Sequence, residues 1–512
     1  MRPSQYFQQL LYPIALTQGL SVTNDPQAAC ERTGRSLDIP NAHVNHVEYV
    51  EAGTNISLPT GYNVQSCDYT NRSVSEDICR VTMNVATSNR SEIFLEAWLP
   101  TSWSGRFLST GNGALAGCIA YEDMAYASGF GFATVGANGG HNGTSGEAFL
   151  HNEEVLADFV YRSVHTGALV GKEITKAHYG RAHNHSYYLS SSTGGRQGFK
   201  EAQDFPDDFD GIVVGTPAIA WNNLTSWAGR FRTVTGPANS TGFLSFDDWA
   251  LVHKDILRQC DGLDGVTDGL LEDPDFCAYR PVDLQCPRSG NQTQCLTAPQ
   301  IQTVRAVFED YYGIDGSLIF PGMHYGSELV ARVIYYAGQS FQITQDWYRY
   351  AVYNNSDWQP TELSIKDAAY AASLNPLNVD TWEGDLSSFQ QKGGRILHWH
   401  GLTDPMITSA NSERYYNHVS NTMGLAPSDL DEFYRFFRIS GLDHYSGGEG
   451  AWGIGNNGRV ASGGRPQTPA NNVLLAMVDW VENGDAPATV TGYKYINVRL
   501  LPRRSRVLRS ES

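Results

Sequence analysis

Tyr187-Tyr-Leu-Ser-Ser-Ser-Thr-Gly-Gly-Arg-Gln-Gly198 carries the most information in this 512-residue chain. An apolar run, Tyr187-Tyr188-Leu189, stops at three serines, and helical spacing follows over residues 194–203. A strand turning sharply into a helix can hold a nucleophile in a strained elbow, and the residues two before and two after it must be small. Ser191 has Leu189 and Thr193 at those places, and Ser190 has Tyr188 and Ser192. Only Ser192 has two small neighbours, Ser190 and Gly194, so sterics select Ser192. An inert Ser/Gly turn would share this pattern, but the flanking strand and helix favour the elbow. The N–H of Thr193 would then open the helix and face the oxyanion of a tetrahedral intermediate. Gly111-Asn-Gly113, after an apolar Phe107-Leu108 run, is the candidate for a second donor, through Gly113.

On both sides of the elbow short apolar runs alternate with helical patterns. Residues 93–95, 107–108, 132–135, 187–189 and 212–214 predict strands, and 154–174 predicts a long helix. That alternation specifies a mostly parallel sheet covered on both faces, an α/β fold. It stops over residues 217–385, which are rich in Trp and Tyr and read as helices and long loops. Strands resume at 395–398 and 434–439, and 472–481 has helical spacing. One domain over 21–216 and 386–512, interrupted by a lid over 217–385, accounts for the pattern.

A serine hydroxyl needs a base, and neutral imidazole suits pH near 7. In such folds the order along the chain is Ser, then Asp or Glu, then His. His398-Trp-His400-Gly-Leu-Thr-Asp404-Pro follows the 395–398 strand and places Asp404 where the orienting acid belongs. Gly441-Leu-Asp-His444-Tyr-Ser-Gly-Gly448 follows the 434–439 strand and offers His444 on a Gly-flanked loop. Among fourteen histidines, His398 and His400 read as structural. Asp443 is an alternative acid, disfavoured by its adjacency to His444.

The formal charge is -18, from 36 Lys+Arg against 54 Asp+Glu. Such a surface repels phosphate backbones and anionic lipid, so nucleic acid is excluded as a partner. No apolar run reaches the roughly 18 residues of a membrane span. With 41% hydrophobic and 12% aromatic residues the chain is globular. Eight cysteines allow 105 pairings, and none forms a C-x-x-C. Nine Asn-x-Ser/Thr sequons (Asn55, Asn71, Asn89, Asn142, Asn184, Asn223, Asn239, Asn291 and Asn354) point to a secreted chain carrying N-linked glycans, where disulfides persist. Residues 1–20, with Arg2 ahead of a short apolar stretch, read as a signal peptide.

Asp261-Gly-Leu-Asp264-Gly-Val-Thr-Asp268-Gly-Leu-Leu-Glu272-Asp273 packs five carboxylates into 13 residues. Their repulsion asks for a cation, and oxygen ligands with glycine turns suit Ca²⁺. The expected ligands are Asp261, Asp264 and Asp268 through side chains, with the carbonyls of Val266 and Leu270. A solvated acidic loop is the plainer reading.

These motifs together resemble the fungal tannase and feruloyl esterase family of secreted α/β-hydrolases. The likeness runs from Cys67 to the C-terminal helical segment. It rests on Trp103-Ser-Gly-Arg-Phe-Leu108, Gly111-Asn-Gly113, Ser192-Thr-Gly-Gly-Arg-Gln-Gly198, Phe205-Pro-Asp-Asp-Phe-Asp-Gly211, the Asp-rich loop, His400-Gly-Leu-Thr-Asp404-Pro and Gly441-Leu-Asp-His444. The resemblance implies an α/β-hydrolase fold with a large lid, a structural Ca²⁺ in the lid, and a serine esterase acting on phenolic esters. Ser192, Asp404 and His444 take the triad roles by it. It further implies pairing of Cys30 with Cys79, Cys67 with Cys118, Cys260 with Cys277 and Cys286 with Cys295. Feruloyl esters, such as feruloylated cell-wall polysaccharide, are the first substrate expectation. Gallate esters are the alternative, and an inactive phenol- or glycan-binding homologue is the rival from another class. The chain departs from the family where a cysteine should precede the nucleophile and another follow the histidine. Ser191 and Tyr445 stand there, and a hydrogen bond between them is one candidate replacement.

Overall fold

Strands form where β-branched and aromatic residues run unbroken, because a sheet covered on both faces buries every position. In the computed structural model, which describes residues 25–67, 70–115, 117–287, 294–456, 467–496 and 499–500, nine strands join in one sheet. In chain order these are β1 (Ala42–Val50), β2 (Ile78–Ala86), β3 (Glu92–Pro100), β4 (Arg106–Thr110), β5 (Ala133–Ala137), β6 (His185–Ser191), β7 (Gly211–Gly215), β8 (Arg395–Gly401) and β9 (Tyr434–Ile439). Their spatial order is β1-β2-β3-β5-β4-β6-β7-β8-β9. β1 to β3 and the β3/β5 pair run antiparallel, and all pairs from β5/β4 to β8/β9 are parallel. The fold is the expected α/β-hydrolase fold with a large insertion.

Alternate residues of each central strand feed two cores. Tyr188, Ile212, Val214, Ile396 and Phe436 pack on one face with Phe199 and Ala202. Tyr187, Leu189, Val213, Leu397 and Trp399 pack on the other with Val473, Leu474 and Met477. The covering helices are α1 (Pro26–Ser36), α2 (Tyr121–Ser128), α3 (Ser163–Tyr179), α4 (Thr193–Asp204), α8 (Ala410–Met423) and α9 (Val473–Asn483). Because the parallel strands all point one way, the turns after β4, β6, β8 and β9 emerge at one edge of the sheet, where α/β proteins place their sites.

Between β7 and β8 the insertion builds α5 (Trp221–Thr235), α6 (Phe246–Cys260) and α7 (Ala298–Phe308). Capping boxes at Ser245/Asp248 and Thr297/Gln300 start α6 and α7. Its core is aromatic, with Trp227, Phe231, Trp249, Tyr336 and Trp347 fully buried. It also holds two short paired strands, Tyr311–Tyr312 and Leu318–Phe320, where helices and loops were expected. The alternation legible in the sequence begins with residues 93–95 and so omits β1 and β2. β1 is an edge strand in which His43, Asn45, His46 and Glu48 interrupt the apolar residues (AHVNHVEYV), which hides its period. The four disulfides are Cys30–Cys79, Cys67–Cys118, Cys260–Cys277 and Cys286–Cys295, the pairing the resemblance implies. Residues 1–20 lie outside the described residues.

Candidate active site

Ser192 sits between β6 and α4 with φ 62° and ψ -126°. This region is strained for any residue with a Cβ, and such strain persists only where neighbours fix it. The Ser192 N–H donates to Gly215 O at 3.0 Å, and Ala218 N–H donates to Ser192 O at 2.9 Å. The steric argument for small neighbours has a direct counterpart, since a Cβ on Gly194 would lie 1.9 Å from Ser190 Oγ. Farther along α4, a Cβ on Gly198 would meet Val214 Cγ1 at 2.5 Å, so this glycine lets the helix press onto β7.

Thr193 opens α4, and its hydroxyl donates to Ala114 O at 2.7 Å, tying the helix to the 111–114 loop. That loop is fixed by Asn112, whose N–H donates to Gln197 Oε1 at 2.9 Å and whose amide reaches Ala137 O at 2.8 Å. Thr193 and Gly113 line one cavity together with Ser192. A Cβ at Gly113 would meet nothing within 4 Å, so this position faces open space.

The 441–448 loop carries His444 into the same cavity. Its Nδ1 is 2.7 Å from Asp404 Oδ2, and its buried Nε2 has no hydrogen-bond partner. A carboxylate accepts only, so Nδ1 carries the proton and Nε2 presents a lone pair. Asp404 is fully buried and also accepts from Met406 N–H at 2.8 Å and Ile407 N–H at 3.0 Å. Burial opposes its ionisation, yet the His444 charge and the hydrogen bonds from His400 and His444 hold it below the usual carboxylate range. His400 is the partner that sequence reading missed: its Nε2 lies 3.0 Å from Asp404 Oδ2, and its Nδ1 lies 2.7 Å from Ser412 Oγ. The i, i+4 spacing of His400 and Asp404 around a strand end was the available signal. His398 is structural, packed in the sheet core between Tyr434 Oη and Ser412 Oγ. Asp443 contacts Thr403 Oγ1 at 3.3 Å, and burial pushes it up to about 6.

The cavity has a volume of about 370 Å³. One wall comes from the sheet-edge loops, Met406 among them, and the other from Leu224, Thr225, Ala228, Tyr335, Phe341 and Ile343 of the insertion. The aromatics Trp347, Tyr348, Tyr350 and Tyr353 are absent from that lining, and Trp347 and Tyr348 are buried in the insertion core. Ser191 and Tyr445 both line the cavity, but no hydrogen bond joins their side chains among the described residues, which corrects that expectation.

The Asp-rich loop is wound around Asp261, which is buried and accepts from Asp268 N–H at 3.2 Å and Gly269 N–H at 3.1 Å. Asp264 accepts from Val266 N–H and Asp268 from Leu270 N–H. The donor set is all oxygen, with left-handed glycines at 265 and 269, which fits a hard cation. The three carboxylates are not gathered within 4.8 Å of one another.

Residues 79–509 match the sequence profile of the family described as tannase and feruloyl esterase. The chain belongs to that family. It is 54% identical over 471 residues to a probable feruloyl esterase B-2 of Aspergillus oryzae, covering 92% of this chain and 89% of that one. Among solved structures it resembles an esterase from Aspergillus oryzae at TM-score 0.92 and 52% identity, and feruloyl esterase B from the same organism at 0.92 and 48%. Each of these matches covers 95% of this chain and 96% of the other. Tannin acyl hydrolase from Aspergillus niger, at TM-score 0.73 and 20% identity, shares the fold; that match covers 94% of this chain and 92% of the other.

Proposed function

We propose that this chain is a secreted serine carboxylic ester hydrolase that cleaves feruloyl esters. The observation that carries the reading is the strained Ser192 in one cavity with His444, whose free Nε2 and Asp404-bound Nδ1 set it up as a base. Ser192 Oγ attacks the ester carbonyl and its proton passes to Nε2. The N–H groups of Thr193 and Gly113 stabilise the oxyanion. Asp404 stabilises the imidazolium, which then protonates the leaving alcohol. Water, deprotonated by the same imidazole, attacks the acyl-enzyme, and the acid departs with Ser192 restored.

The cavity wall supplied by the insertion is mostly apolar, and its two hydroxyls, on Thr225 and Tyr335, already donate to Asn222 O and Met406 O. It suits a methoxylated ring with one hydroxyl, because each further buried hydroxyl without a partner costs about 1–3 kcal/mol. Gallate, with three hydroxyls, is disfavoured by that wall. Comparing kcat/KM on methyl ferulate and methyl gallate tests the reading: ferulate preference supports it, and gallate preference replaces it with the tannase reading. If wild type and Ser192→Ala are equally inert on both, the chain is a binding homologue.

Residues 217–385 act as the lid in this reading, and Ca²⁺ is held in it by Asp261, Asp264, Asp268 and the carbonyls of Val266 and Leu270. The ion would neutralise the acidic loop between Cys260 and Cys277. EGTA lowers the melting temperature and Ca²⁺ restores it if so; an unchanged melt removes the ion from the account. Secretion and N-glycosylation are supported by four disulfides and by the exposure of seven sequon asparagines, all but half-buried Asn223 and Asn291, which is not described.

A further inference from the structure

Glu201 lies on α4, eight residues after Thr193, with a side chain 1% exposed. Neither of its carboxyl oxygens has a hydrogen-bond donor. Buried carboxylates without donors are rare, so this one needs a reason. Its neighbour is another acid: Glu201, Asp208 and His165 each bring one polar atom within 4.8 Å of the others. Asp208 is itself buried, and its Oδ2 lies 2.6 Å from His165 Nδ1. Lys172 of α3 donates to the Asp208 carbonyl, and the His165 ring stacks on Phe205 at 3.9 Å.

Two groups of oxygens that face each other without a donor either share a proton or share a cation. A metal ion is disfavoured because Lys172 already places an ammonium beside Asp208 and the Nδ1 of His165 is used by the Asp208 carboxylate. We propose that Glu201 is a neutral carboxylic acid that donates a hydrogen bond to the Asp208 carboxylate, and that this shared proton fastens the nucleophile helix α4 to the 205–210 loop and α3. Glu201 is thus a positioning residue: it acts on the reaction through the helix whose first turn presents Ser192 and Thr193. Burial comes first among the influences that keep the proton on Glu201, and the Asp208 charge and the hydrogen bond to it come next; Lys172 pulls the other way, and Asp204 on the same helix adds to the first three. Tyr188 of β6 also faces Glu201, as a neutral phenol.

The consequence has a definite sign. In the unfolded chain Glu201 titrates near 4.3. Folded, it keeps its proton to higher pH, so between those values the native state binds one more proton than the unfolded state, and stability falls as pH rises. Glu201→Gln keeps the shape and a donor but has no proton to lose. Its denaturation midpoint should therefore gain on wild type as pH rises above the unfolded value, by at most the slope of one proton. The infrared spectrum of wild type in D₂O at neutral pH should show a neutral carboxylic acid carbonyl band that Glu201→Gln lacks. Should Glu201→Gln not fold, wild type labelled with carboxyl-¹³C glutamate shows the same band shifted by the isotope. On methyl ferulate, Glu201→Leu lowers kcat with KM unchanged, while Glu201→Gln keeps wild-type kcat; only this readout rests on the proposed function. A pH-independent stability difference, absence of the acid band, one equivalent of metal that Glu201→Gln loses, or a Glu201→Gln as impaired as Glu201→Leu would each overturn the proposal.

Discussion

Asp404→Asn isolates the electrostatic part of the site while keeping its shape. The Asp404 carboxylate divides its two oxygens: Oδ1 takes the Met406 and Ile407 amides, and Oδ2 takes His444 Nδ1 and His400 Nε2. An asparagine can keep its carbonyl on the two amides only by turning its NH₂ toward both imidazoles. His444 must then present a lone pair at Nδ1, which moves its proton to Nε2 and removes the acceptor that Ser192 needs. Loss of the charge and the tautomer together lowers kcat by about 10⁴ in a triad. At 1.36 kcal/mol per decade this is about 5.4 kcal/mol. KM should change little, since the cavity wall is untouched. The assay is kcat and KM on methyl ferulate with a thermal melt as a fold control, and Asp443→Asn as the comparison expected to stay within a few-fold of wild type. An Asp404→Asn enzyme that retains more than a tenth of kcat, or an Asp443→Asn enzyme that loses more than Asp404→Asn, would refute the reasoning.

Gly194→Ala puts a methyl group 1.9 Å from Ser190 Oγ, so it should cost about 1–3 kcal/mol of stability by overpacking and displace the elbow, seen as a lower denaturation midpoint and lost turnover. The Cys260→Ser, Cys277→Ser double variant frees a loop closed over 17 residues and should lose about 3 kcal/mol in a denaturant titration under the chain-entropy account. Because Asp404 is held below its usual range, its contribution to stability is complete above the unfolded value of about 3.9 and is lost as pH falls below it. Acid titration followed by tryptophan fluorescence should thus show Asp404→Asn losing less stability than wild type below pH 4.

The elbow was legible because sterics act locally: the Ser190 and Gly194 side-chain sizes that select Ser192 are the pair that the fold brings into contact. The central strands were legible because burial on both faces leaves unbroken apolar runs, and β9 (Tyr434–Ile439) was read to the residue. β1 was not, since an edge strand needs no such run. In the sequence His400 reads as structural, and its contact with Asp404 depends on how the chain turns after β8, which spacing alone leaves open. The cavity wall was the least legible part. Leu224 and Ala228 lie on one helix, but Tyr335, Phe341 and Met406 reach the site through long-range packing that no local pattern encodes. The aromatic run 347–353 packs in and against the insertion core.

The most direct test of a reactive Ser192 beneath that wall is covalent. Treating the protein with a fluorophosphonate and sequencing the labelled peptide by mass spectrometry should place one adduct on Ser192, with hydrolysis of methyl ferulate abolished in step, and Ser192→Ala should fold normally and take neither label nor substrate. A label on Ser190 or Ser191, or turnover surviving in Ser192→Ala, would contradict the account.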